Sequence, residues 1–247
     1  MKRKLKQSGV TLVELTVTMA IVVLLAVVGV PAVRALVHSF ESGSSTRAMI
    51  GAAMASARAI SAREQQYVGI RFQKAYSPQG SLRAPQYMIF IIHDMQATGL
   101  AYGFRAIEGL KPIKLPDSVG VMDASLVDDV NEGWEPASDA EVTDLTSFSI
   151  VFTPAGKLVI HDVRVARTSG SDDVFNTLTR ITAAVNPAGM FVEDNPEDQE
   201  PSGNSLIIYD RKRFEQAYRD GQGYSGYLVQ VPRIYINPYM GTMISTE

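Results

Sequence analysis

The stretch Gly9-Val10-Thr11-Leu12-Val13-Glu14-Leu15, continued as TVTMAIVVLLAVVGVPAVR to Arg34, decides how the chain is read. Between Glu14 and Arg34 lie 19 uncharged residues, Leu15 to Val33, of which eleven are Leu, Ile or Val. A helix of that length spans about 28 Å, close to the hydrocarbon thickness of a bilayer. The eleven aliphatic side chains contribute on the order of −5 kcal/mol to insertion.

Four basic residues, Lys2, Arg3, Lys4 and Lys6, precede the apolar run. Removing them from the 23 Lys and Arg of the chain leaves 19 basic against 26 acidic side chains, a net of −7 for the body. A cationic head on an acidic body predicts a cytoplasmic N-terminus and an exported body. The body's charge opposes general nucleic-acid binding. The rest of the composition is ordinary for a globular protein: 247 residues, 46% apolar, 20% charged and no cysteine. Disordered and collagen-like classes are excluded, as are disulfide frameworks, thiolate metal sites and Cys nucleophiles.

Three readings compete for the N-terminal stretch. A cleavable signal peptide fits the basic head, and Ala32 and Ala35 offer a weak cleavage site, but Glu14 inside the apolar region has no role in it. A plain single-pass anchor explains the length and leaves Glu14 unexplained. The third reading explains it. The string Gly9 to Leu15, behind a basic leader, resembles the class III leader junction of type IV pilins and pseudopilins. The resemblance implies cleavage between Gly9 and Val10 by a prepilin peptidase, N-methylation of Val10, and Glu14 as the fifth residue of the mature chain. Val10 stands where the family usually has Phe. Pro31 falls where members often carry a helix-kinking proline.

A carboxylate in lipid or among packed helices costs several kcal/mol unless it is paired. Cleavage after Gly9 would create an amino group at Val10, one helical turn from Glu14 and able to pair with it. In the family the usual proposal is pairing with a neighbouring subunit's amine. The simpler alternative is an interfacial Glu that reaches the headgroups.

From Arg34 onward, Ile50, Ala53, Met54, Ala57 and Ile60 recur at helical spacing, with Arg47 and Arg58 off the stripe. This predicts an amphipathic helix ending near Glu64, bent at Gly43-Ser44-Ser45. It either continues the membrane helix or forms a separate core helix after a linker. Beyond Tyr67 the pattern becomes strand-like. Strands are expected over Val68–Phe72, Tyr87–Ile92, Phe148–Phe152, Leu158–Val165, Leu206–Tyr209, Tyr227–Val231 and Arg233–Asn237. Thr153-Pro154-Ala155-Gly156 reads as a type I turn, and Asp210 as the cap of a short helix over Arg211–Arg219, with Phe214 and Tyr218 inward.

Met49 to Phe72, Leu115 to Val121, Phe148 to Gly156 and the pair Arg233–Ile236 and Gly241–Ile244 are similar to the GspH/FimT branch of pseudopilins. The expected fold is therefore α+β and pilin-like: a long N-terminal helix, transmembrane in its first half, packed on an antiparallel β-sheet domain. The expected organisation is a leader at 1–9, a transmembrane helix at 10–33, a continuation helix at 34–65 and an extracytoplasmic β-rich domain at 66–247. An insertion over about 165–227 matches nothing in that branch.

Catalytic chemistry has no foothold in the sequence. There is no Gly-x-Ser-x-Gly elbow, phosphate-binding Gly loop or His-x-x-x-His helix, and no cofactor is implied. His38, His93 and His161 have a spacing that suggests no metal cluster. His161-Asp162 in a strand would point to opposite faces. The acidic groups Ser171-Asp172-Asp173 and Glu193 to Glu200 offer hard-cation oxygens for Ca²⁺, but they lack EF-hand order, and a solvated loop is the simpler reading. Arg211-Lys212-Arg213 could touch phosphates, or simply begin an exposed helix. Tyr224, Tyr227, Tyr235 and Tyr239 could form a contact surface, or be ordinary strand tyrosines.

The resemblance implies a non-enzymatic minor pseudopilin of a type II secretion or type IV pilus assembly in the inner membrane. Its partners would be the prepilin peptidase and other pilin-like subunits. Two other classes stay open: an unprocessed membrane-anchored β-domain that binds or senses, and a secreted β-rich enzyme cut near Ala35.

Overall fold

The computed structural model describes residues 16–19, 45–74, 83–99, 101–125, 146–165, 200–220 and 223–245. The chain divides into two compact units, residues 1–41 and 42–247. Four described residues of the first, 16–19, are helical.

The second unit opens with an amphipathic helix, α1, over residues 45–64. Ile50, Ala53, Met54 and Ala57 are at most 3% exposed, whereas Arg63 and Glu64 lie in solvent. Small side chains at two of the four positions let the helix approach a sheet closely.

Two antiparallel sheets receive it. The first is built from β1 (Val68–Lys74), β2 (Gln86–His93), β3 (Phe104–Ala106), β4 (Ile113–Lys114), β6 (Phe148–Phe152) and β7 (Leu158–Val159). Its order is β3-β2-β1-β6-β7, with β4 also on β2. The second has the order β12-β11-β10-β5, formed by β5 (Val119–Asp123), β10 (Ser205–Asp210), β11 (Arg233–Ile236) and β12 (Met243–Ser245). Period-two alternation selects the faces. Val68, Ile70, Phe72, Ile150 and Phe152 of the first sheet enter one core with Val121, Leu206, Ile234 and Ile236 of the second, beneath the α1 stripe.

The opposite faces are covered separately. Behind the second sheet lie α3 (Arg211–Arg219) and α4 (Gly223–Leu228), which place Phe214 and Leu228 against Met122, Ile207 and Tyr209. Asp210 caps α3, its Oδ1 accepting from the backbone N–H of Lys212 and Arg213. Behind the first sheet lies a ribbon of β8 (Asp162–Val163) and β9 (Glu200–Pro201). Its Val163, with Val165, packs on Ile89, Ile91, Phe104 and Val151. The short helix α2 (Met95–Thr98) follows β2.

One side chain bolts the two sheets together. Gln86 of β2 donates through Nε2 to Val121 O (2.7 Å) and Thr146 O (2.8 Å), and its Oε1 accepts from Val121 N (2.8 Å). The primary amide thus satisfies both backbone groups of Val121 on the edge strand β5, as a neighbouring strand would. Gln86 is itself 1% exposed. At the other end, Arg58 of α1 donates to the carbonyls of Gly156 (2.8 Å), Tyr239 (3.0 Å) and Met240, while Arg47 reaches Met243 O (3.3 Å). Gly241, at φ +63°, permits this approach: a Cβ there would stand 2.7 Å from Arg58 Cδ.

The expected fold class is corrected. The described residues are dominated by antiparallel sheet, with the amphipathic helix α1 and shorter helical pieces, and do not form a long apolar N-terminal helix on a β-domain. Among them no helix is long and apolar enough to cross a membrane. Of the expected membrane helix at 10–33 only residues 16–19 are described; the helix that organises the described residues is α1, whose amphipathic stripe, as expected, packs on a sheet surface. Two local expectations also change. The return strand Leu158–Val165 breaks at Ile160, which is 64% exposed, and the chain passes from β7 into the separate β8–β9 ribbon. Tyr227–Val231 is not a strand: Tyr227 and Leu228 end α4, Leu228 is buried and Val229 faces solvent. The last part of the region expected as an insertion supplies β9, β10 and α3, and β10 is a central strand.

Gln86→Leu removes the bolt and strands the buried N–H and C=O of Val121. Each orphaned group costs about 1–3 kcal/mol, so urea denaturation is expected to show a loss of about 3 kcal/mol or more with an unchanged slope. An unchanged midpoint would show that water replaces the amide without penalty.

Candidate functional site

Gly9, Val10, Glu14 and Pro31, the expected processing, assembly and kink positions, lie outside the described residues. So do His38, Ser171-Asp172-Asp173 and the acidic residues from Glu193 to Asp198. Glu200 is described and is already committed: its Oε2 accepts from Arg71 Nη1 at 3.0 Å. Arg71 is 1% exposed, projects from the back face of β1 and also donates to Ser149 Oγ (3.2 Å) and Gln73 Oε1 (3.3 Å). A buried guanidinium is tolerated only with such partners, so this pair fastens the β8–β9 ribbon to the sheet.

Arg211 is spent on Asp117 O (3.3 Å), leaving Lys212 and Arg213 exposed on α3. Of the C-terminal tyrosines, Tyr227 turns inward toward Phe214, and its hydroxyl accepts from Asp210 N at 3.0 Å. Burial raises its phenol above the usual value. Tyr235 and Tyr239 are 42% and 70% exposed. The side chains of Tyr218 and Tyr224 fall outside the described residues.

The densest grouping of chemistry-bearing side chains is on the back of the first sheet. His93 ends β2, its backbone N–H bonded to Tyr67 O (2.9 Å). His161 occupies the link between β7 and β8. Ser202 grips it from both sides: His161 N donates to Ser202 Oγ (2.9 Å), Ser202 Oγ donates to Val159 O (2.8 Å), and Ser202 N donates to His161 O (2.9 Å). The His161 ring lies against Tyr67 (4.5 Å between centroids), Tyr102 (5.6 Å) and Phe104 (5.7 Å). It stands 6.0 Å from His93, which in turn meets Phe104 edge-on at 5.3 Å.

Protonation in this cluster is constrained. His161 Nδ1 lies 2.6 Å from Asp162 O. A carbonyl can only accept, so Nδ1 carries the hydrogen and a neutral ring presents its lone pair at Nε2. Burial pushes the His93 imidazole below its ordinary value, the charge of His161 adds to this, and Asp94 partly opposes it. Asp94 is bound by Arg105 Nε (2.8 Å) and Ala97 N (2.9 Å). Burial alone would raise its carboxyl, but these hydrogen bonds and the Arg105 charge hold it low. Sequence reasoning missed the pairing because His93 and His161 belong to different elements and no spacing rule joins them. Elsewhere, Asp123 on β5 is raised by burial, despite accepting from Ser125 N at 2.9 Å.

No family model, curated protein or solved structure matches this chain. Among the described residues no group of three or more His, Asp or Glu is placed to hold a metal.

The lowered His93 value fixes a pH dependence. The unfolded chain takes up the proton near 6.5 and the folded one only at lower pH, so this contribution to stability is complete above 6.5 and is lost as pH falls through that value toward the folded one. Urea midpoints measured from pH 7.5 to 5 are expected to fall for the wild type and to fall less for His93→Phe. Parallel curves would refute the assignment.

Proposed function

We propose that this chain is a minor pilin-like subunit of a type II secretion pseudopilus or a type IV pilus, matured by a prepilin peptidase between Gly9 and Val10. The observation that carries the reading is the string Gly9-Val10-Thr11-Leu12-Val13-Glu14-Leu15 behind the basic residues Lys2, Arg3, Lys4 and Lys6, followed by the apolar run to Val33. The charge split supports an N-terminus in the cytoplasm, residues 15–33 in the inner membrane and the body outside it. After assembly the subunit resides in the fibre.

In this scheme the protein does no chemistry and is a substrate. Cleavage exposes the Val10 amine, whose ordinary value of about 7.7–8.0 keeps it largely cationic at neutral pH; methylation leaves that charge. Glu14 in an apolar environment is stabilised by such a cation, its own or a neighbour's. An uncut neighbour offers no amine at that depth, so the pairing favours mature subunits. The unit from Ser42 onward has its own core.

Mass spectrometry of the protein from its native host is expected to find a chain beginning at Val10, one methyl group heavier. An intact Met1 would instead support an unprocessed membrane-anchored binding or sensor domain. A soluble product cut near Ala35 would support a secreted protein. Gly9→Ala should block processing. Glu14→Ala should be processed yet fail to enter the fibre, and normal incorporation would remove the role given to Glu14.

A further inference from the structure

We propose that His93 and His161 together bind one late first-row divalent ion, Cu²⁺, Ni²⁺ or Zn²⁺, on the back of the first sheet. The inference rests on the described residues alone and does not depend on the role proposed for the N-terminus.

Metal–nitrogen bonds are about 2.0–2.1 Å and a ring nitrogen lies about 1.1 Å from its centroid, so two imidazoles sharing an ion have centroids at most about 6.4 Å apart. The observed 6.0 Å lies inside that limit. A tetrahedral angle asks for about 5.2 Å, a closure of about 0.8 Å that χ rotations of two half-buried rings can supply.

The state of the ligands agrees. His161 is held by Asp162 O in the tautomer that leaves Nε2 free to coordinate, the carbonyl serving as the outer partner that metal-binding histidines commonly have. Burial pushes the His93 imidazole below its ordinary value, which favours the neutral ring that a ligand must be. Ser202 fixes the His161 backbone, so only the two side chains have to adjust on binding.

The ligand type selects the ion. Two imidazoles suit Cu²⁺, Ni²⁺ or Zn²⁺, with water completing the shell, whereas Ca²⁺ and Mg²⁺ want oxygen. The nearby carboxylate, Asp94, is engaged by Arg105 and Ala97 N and supplies no oxygen. Among the described residues, Asp94, Arg105, Tyr67, Tyr102, Asp162 and Arg164 lie on or beside the elements that carry the pair. Because β2 and the β7–β8 link each give one ligand, the ion would also tie the β8–β9 ribbon to the sheet beneath it.

The test uses the full untagged chain in detergent micelles at neutral pH, titrated calorimetrically with Cu²⁺, Ni²⁺ or Zn²⁺. The expected result is one ion per chain, no response to Ca²⁺, and binding weakened about tenfold or more in each of His93→Phe and His161→Phe. Phe keeps an aromatic ring in the cluster. His38→Phe should bind like the wild type. Absence of binding by the wild type, unchanged affinity in both cluster variants, or loss with the His38 variant alone overturns the proposal. Should the cluster variants misfold, the wild type decides it: paramagnetic Cu²⁺ must broaden the ring resonances of both His93 and His161 at sub-stoichiometric ratios, and failure to broaden either overturns the proposal.

Discussion

The apolar stripe of the helix at 45–64 is the constraint on which this domain depends. Ile50, Ala53, Met54 and Ala57 close a core to which two sheets contribute. Without that stripe, the inward faces of both sheets would be open to water. The alanines set the distance of approach, and the isoleucine and methionine fill the space over Phe72, Ile150 and Phe152. Burial of this kind stabilises by about 25 cal/mol per Å² of apolar surface and has no direction of its own. Direction comes from polar groups: Gln86 between the sheets, and Arg58 and Arg47 between the helix and the end of the chain.

The back of the first sheet follows a different logic. There the cover is a two-stranded ribbon, too small to hold itself. It relies on Val163 and Val165, on the Arg71–Glu200 pair, and on Ser202 gripping the link at His161. Polar and aromatic contacts therefore do much of what apolar area does on the front. This is why titratable groups gather on that side.

Legibility in the sequence tracked how local each signal was. Strands β1, β2, β6 and β10 were readable because alternation or continuous apolarity reports burial directly, and the cap at Asp210 was readable because its partners lie two and three residues on. The misread segments were those whose fate is set by distant contacts. Leu158–Val165 has strand-like residues throughout, yet the chain leaves the sheet at Ile160 to build another layer. Tyr227–Val231 is apolar enough for a strand but is wound into a helix end by packing on Phe214 and by the Tyr227–Asp210 bond. The long apolar helix expected to dominate the fold is not what organises the described residues; an amphipathic helix and two sheets are. The histidine pair was invisible because only the folded chain brings the end of β2 beside the link before β8.

The ribbon has one more implication. Val163 and Glu200 are cross-strand partners, so the two ends of the segment between Val165 and Glu200 are held close together. Closing a loop whose ends are already fixed becomes only slowly dearer with length, about 0.6 kcal/mol for each doubling. The pair is thus a natural socket: the sequence between Val165 and Glu200 can change in length at small entropic cost while its two ends stay fixed side by side.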